Sequence, residues 1–188
     1  MEAMAEVCAE RGYQRTSVAA VAERAGIGEA DFYELFRDKE DCFLATINAS
    51  LAELITAATS AYSPDKPQVA VVRDAARGIL DVLADAPAEA HIGFVDYRTA
   101  TPNALEVYES GTRVLSSLLD RLRTDAPSDV ALPSVTARAA LGGAEGLIRH
   151  EIAAGRAMEL PEVLPGVLYS CLVPFLGQEE ALRQAALV

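Results

Sequence analysis

An all-α fold is predicted for this chain by three observations. Alanine- and leucine-rich stretches recur along it, apolar residues return at helical rather than alternating spacing, and prolines and glycines cut the pattern into helix-sized lengths. Hydrophobic residues make up 51% of the 188, with no Trp, and no β-branched run of period two reads as a strand. A chain of this length can bury a sizeable core in one or two domains. Its net charge of −12 favours solubility and disfavours casual contact with membranes or RNA.

The elements follow in order. Met1 to Arg11 reads as a first helix with Met4, Val7 and Cys8 on its apolar face. Thr16 and Ser17 offer hydroxyls to cap a second helix, whose stripe is Val18, Val21 and Ala25 and which Gly26 ends. A third starts near Gly28. Its Phe32, Leu35 and Phe36 fall at helical spacing and are expected to pack on Val18 and Val21, leaving Glu29, Ala30, Asp31, Tyr33 and Glu34 toward solvent. Two short helices joined by a glycine turn have the layout of a helix-turn-helix, whose second helix lies in the major groove with its exposed residues at the base edges. A helical hairpin that packs a core and touches no DNA shares the pattern.

Asp38 is placed to cap a long helix reaching about Ser60, with Glu40 and Asp41 in its first turn. The break Ser63-Pro64-Asp65-Lys66-Pro67 precedes a helix from Gln68 to about Leu83, followed by Pro87 to about Thr99 and Pro102 to about Leu122. After Ala126-Pro127-Ser128 and Pro133 comes a helix to about Ala154, stopped by Gly155, and a last long helix begins near Leu160 or Pro161. About nine helices result. The longest charge-free segment, Val163 to Gln178, contains Pro165 and Pro174 and falls short of the about 20 apolar residues a membrane span needs. It reads as a buried helix. With no basic stretch before an apolar run at the start, no secretory signal is expected, and the protein is expected to be cytoplasmic, without a membrane partner.

Ala139, Gly142, Gly143 and Gly146 put small residues on one side of a helix. Glycine inside a helix costs about 0.5–1 kcal/mol relative to alanine, and the close approach of another helix would compensate. The nearly all-apolar stretch Val163 to Leu176 is more than a chain this small covers on every side. Two protomers would bury both faces in a four-helix, two-fold interface; a monomer with its final helix deep in its own core is the alternative. Cys8, Cys42 and Cys171, odd in number and far apart, imply no disulfide framework and behave as small hydrophobes.

The ordered set Glu10-Arg11-Gly12-Tyr13, Thr16-Ser17-Val18, Ala22, Ala25-Gly26-Ile27, Phe32-Tyr33, Phe36 and Lys39-Glu40 resembles the tetracycline-repressor-like (TetR) family of bacterial transcriptional regulators. The strong likeness covers the first quarter of the chain. A weaker one, through Gly142-Gly143, Glu145, Glu151-Ile152-Ala153-Ala154-Gly155-Arg156 and Leu160-Pro161, looks like an actinobacterial branch. The resemblance implies a three-helix helix-turn-helix domain over residues 1–48 and a larger effector-binding and dimerisation domain over 49–188. It also implies a homodimer on a palindromic double-stranded DNA operator, a repressor released by a small-molecule effector, with no cofactor.

Carried over residue by residue, Thr16, Ser17, Tyr33 and Lys39 would hold phosphates while Gly28, Glu29, Ala30 and Asp31 face base edges. Tyr62, His91, Phe94, Val95, Tyr97, Arg98, Tyr108, Arg113 and His150 are the candidate effector contacts, aromatic walls with a few polar groups as small-molecule sites have. For any one of them, ordinary packing or a place on the solvated surface is the commoner role. His91 and His150, the only histidines, fit no ligand spacing, so no metal site is expected.

One departure bears on function. Residues 1–48 hold five Lys or Arg against ten Asp or Glu, a net charge of −5, and the reading helix opens Gly28-Glu29-Ala30-Asp31. Carboxylates suit a helix N-terminus but oppose DNA phosphates, although they can accept a hydrogen bond from cytosine N4. A second reading follows: a dimer that binds a small molecule or protein with weak or lost DNA binding. No GxSxG, GxxxxGK, HExxH or CxxC occurs in the sequence, so no enzyme is expected.

Overall fold

A computed structural model describes residues 1–127 and 131–188 as helices joined by short turns, with no strand among them. Helix α1 spans Glu2–Arg11 and ends at Gly12, whose φ of 76° admits no side chain cheaply. A 3-10 turn, Tyr13–Arg15, leads to α2, Val18–Ala25. Of the two hydroxyls offered as caps, Ser17 takes the role, its Oγ accepting the Ala20 N–H at 3.2 Å. Gly26 ends α2 in the left-handed region. Helix α3, Glu29–Leu35, follows Gly28, and the Asp31 carboxylate accepts the Gly28 N–H at 3.0 Å. Asp38 caps α4, Lys39–Ser60, accepting from the Asp41 N–H at 2.9 Å.

The expectation that Leu35 packs inward is corrected: the side chain is 69% exposed. Phe32 and Phe36, four residues apart with ring centroids at 5.3 Å, set the inward line of a short helix. Leu35 falls on its far edge in the last turn.

Helix α5 spans Gln68–Asp85. Helix α6, Pro87–His91, passes through a π-helical turn, Ile92–Asp96, into α7, Tyr97–Ala100, so the run expected from Pro87 is present with a widened middle. Helix α8, Pro102–Leu119, is capped by Thr101 and tails into a 3-10 turn, Asp120–Thr124. Of the break expected at Ala126-Pro127-Ser128, Ser128 lies outside the described residues. Helix α9 spans Thr136–Ala153, with Gly155 at φ 76° just beyond.

The single last helix is corrected to two. Ala157–Val163 is a 3-10 stretch, α10 begins only at Leu164 and runs to Leu176, and α11 is Gln178–Ala185. Gly177, at φ 79° and ψ 169°, is the break. With the α6–α7 run counted once, ten helices rather than nine result among the described residues.

Two apolar cores form. One joins Met4, Val7, Cys8, Val21, Phe32, Phe43 and Ile47 of α1–α4 to Ile92, Tyr97, Ala100 and Ala104 of the later helices. The other gathers Leu80, Leu83, Leu122, Leu160, Leu168, Leu172 and Phe175. Helix α4 and the run Ala157–Leu176 are long and apolar enough to cross a membrane by composition alone; here Phe43, Ile47 and Leu54 of the one and Leu164, Leu168, Leu172 and Phe175 of the other are buried inside the bundle.

Candidate DNA-reading surface and effector cavity

Ser17 at the start of α2 and Gly28, Glu29, Ala30, Asp31 and Tyr33 at and along α3 are all exposed. Thr16 is not among them. That side chain is buried, and its hydroxyl donates to Gly12 O at 3.0 Å, so the phosphate role expected for it is geometrically closed. Asp31 is exposed but already committed to the Gly28 N–H, which leaves Glu29 as the unengaged carboxylate of the first turn. Tyr33, 54% exposed, stands edge-on to Phe32.

The basic residues of this domain are engaged by the protein itself. The Lys39 ammonium donates to Tyr13 O at 3.0 Å and lies 4.1 Å over the Tyr13 ring. Arg24 is clamped between Glu6 at 2.9 Å and Glu10 at 2.5 Å, tying α2 to α1. Arg37 pairs with Asp41, whose carboxyl it holds below the usual carboxylate range. Arg15 donates to Arg11 O at 2.7 Å, and Arg11 lies 3.9 Å from Glu10. A phosphate must compete with each of these partners.

Beyond these helices, α4, α5, α8, α9 and α10 line a partly open cavity of about 330 Å³ walled by aliphatic side chains such as Leu54, Val71, Ile79, Leu118, Ile148 and Val167. Tyr62, Gln68 and Arg121 contribute polar atoms, with the exposed Arg121 guanidinium 5.2 Å over the Tyr62 ring. Cys171 also lines it; burial pushes this thiol up to about 12, so it stays protonated. A smaller cavity of about 60 Å³ shares Leu54, Phe94, Leu115 and Glu145 as its wall with the first.

Of the nine effector candidates, Tyr62 and Phe94 line the larger cavity, and Phe94 and Tyr108 the smaller. The rest line neither. Tyr97 is buried as a packing residue, stacked on Tyr108 with centroids 3.9 Å apart and planes at 17°. Val95 is half-buried against the second core. His91 faces a separate open groove beside α1, its Nδ1 3.5 Å from Asp96. Arg98, Arg113 and His150 are exposed, each on the solvent side of a helix whose other face is apolar.

Residues 1–46 match the family model described as bacterial regulatory proteins, tetR family. Over these residues the chain is similar to the tetR family. The whole chain is similar in fold to the fatty acid degradation regulator FadR of Bacillus halodurans, at 15% identity and a TM-score of 0.78 over 93% of this chain and 91% of that one. FadR of Bacillus subtilis, solved in complex with stearoyl-CoA, gives 16% identity and a TM-score of 0.77 over 94% and 96%. The TetR-family regulator PfmR of Thermus thermophilus gives 18% and 0.64 over 87% and 94%. No curated protein matches the sequence significantly.

The helices that match the tetR-family model are bonded to later helices at defined points. Gln14 Nε2 donates to Thr99 O at 3.0 Å and Ala100 O at 3.2 Å, at the end of α7. Asn103 Nδ2 donates to Glu40 at 2.9 Å, joining the starts of α8 and α4. Sequence reasoning missed Glu145, Arg121 and the aliphatic wall. Glu145 did carry a signal, as a lone carboxylate within Leu141-Gly142-Gly143-Ala144-Glu145-Gly146-Leu147.

Proposed function

We propose that the protein is a homodimeric, cytoplasmic DNA-binding transcriptional regulator, a repressor that leaves a palindromic operator when a largely apolar small molecule occupies the cavity. The observation that carries it is the tetR-type helix-turn-helix bonded to later helices that line a partly open aliphatic cavity. The stearoyl-CoA complex of a similar fold supports an aliphatic chain as the kind of molecule such a cavity takes. Occupation would shift α4, which lines the cavity through Leu54 and Ala58 and carries the reading domain at its other end, and so change the spacing of the two readers. Dimerisation through α9 and α10 is supported by open space around Gly142 and Gly146 and by the exposure of Leu147.

The engagement of the domain's basic residues favours one alternative, a dimer that binds its ligand but holds DNA weakly. Selecting bound duplexes from a random pool separates the two. Enrichment of a palindrome supports the repressor; failure to enrich any supports the alternative.

A further inference from the structure

Glu145 is the carboxylate in the wall common to both cavities. Its Oε2 accepts the Tyr108 hydroxyl at 2.5 Å and its Oε1 lies 3.4 Å from the Thr112 hydroxyl. It has no ion-pair partner among the described residues. A carboxylate accepts about four hydrogen bonds, and a half-buried anion without a cation is poorly compensated. Burial, and then Glu145 itself, hold the Tyr108 phenol well above its usual range, so it remains a donor. Among the described residues, the smaller cavity is lined by Glu53 and Glu89 as well as Glu145 and by no Lys or Arg, while the one cation lining the larger cavity, Arg121, is exposed beside Tyr62. Glu145 is therefore the one carboxylate common to both largely aliphatic cavities, and no cation stands beside it among the described residues.

That acceptor is connected to the reading domain. Tyr108 stacks on Tyr97, Tyr97 lies in the apolar core of α1–α4, and the end of α7 receives the two bonds from Gln14. We propose that the effector is an amphipathic molecule with an aliphatic body and a cationic nitrogen, that the nitrogen displaces the Tyr108 hydroxyl from Glu145, and that this exchange is what the reading domain senses. The inference rests on the cavity being the effector site. Displacement leaves a half-buried phenol without its acceptor, which favours a shifted Tyr108 and loosens the stack on Tyr97.

The test uses the full chain and three probes of one chain length, decylamine, 1-decanol and decanoate, titrated calorimetrically below their aggregation limits. A charge-assisted hydrogen bond is worth roughly a tenfold to hundredfold preference, so decylamine is expected to bind at least about tenfold more tightly than the other two. Glu145→Gln should erase that preference while leaving decanol binding intact, which also separates the cavity from diffuse attraction to an acidic surface. Tyr108→Phe keeps the ring and removes the competing donor, so decylamine should bind more tightly. Decylamine, and not decanol, should speed amide exchange at Tyr97–Ala100 and Tyr13–Arg15.

Equal binding of the three probes, unchanged by Glu145→Gln, would overturn this inference and leave the apolar effector cavity standing. A preference for decanoate that Arg121→Ala abolishes would overturn it in favour of an anionic head at the rim. Tight decylamine binding without a change in exchange would overturn the coupling, and no binding by any probe would overturn the effector cavity as well.

Discussion

Glu29 and Asp31 look alike in the sequence and differ in what they are free to do. Asp31 accepts the Gly28 N–H, so Asp31→Ala should destabilise α3 by about 0.5–2 kcal/mol, the usual range for a lost helix cap, measured by chemical denaturation. Glu29 has no such bond, and Glu29→Arg should strengthen binding to random duplex and steepen its salt dependence, since log K falls by about 0.9 per phosphate neutralised for each decade of salt. Identical affinities and slopes for wild type and variant would place Glu29 away from DNA. Cys171 gives a pH signature. The unfolded thiol ionises near 9.0 while burial holds the folded one to about 12, so the folded state binds more protons between those values and stability falls as pH rises through that window. Cys171→Ala should flatten this slope in melts taken across it. The caps Ser17, Gly26 and Asp38 were legible because capping is a local bargain between a side chain and its own helix. The role of Glu145 was not, because it depends on what α8 brings opposite.

Element boundaries were legible at the positive-φ glycines Gly26 and Gly155 and failed at Gly177, a positive-φ glycine too, where an apolar run continues up to the break. Gly177→Ala should cost about 1–3 kcal/mol despite open space around it, because its backbone angles suit glycine almost alone. Gly146 differs. A Cβ there meets nothing within 4 Å in the protomer, so Gly146→Leu should leave the protomer folded and act on association alone. Light scattering should show monomers for the variant and dimers for the wild type; dimers in both would move the interface elsewhere. The small-residue stripe marked this helix in the sequence, yet a Cβ on the exposed Gly143 would fall 2.5 Å from Ser170 Oγ of α10, so only part of the stripe is open.

At the scale of the molecule, periodicity foretold the all-helical bundle because each helix carries its own apolar face. The cavity was foretold only as a region, since its walls come from helices far apart in sequence and its candidate aromatics split between lining, packing and surface. The apolar core of the reading domain includes Ile92, Tyr97, Ala100 and Ala104, which lie far along the chain from α1–α4. These helices are therefore not a self-sufficient module. Cutting the chain after α4 would expose the surfaces these four side chains cover, and grafting the first 60 residues onto another regulator would require the new host to supply an α6–α7 of matching shape. Any lineage that exchanged its DNA-reading specificity by recombination would have had to carry both segments together, or repair the seam afterwards.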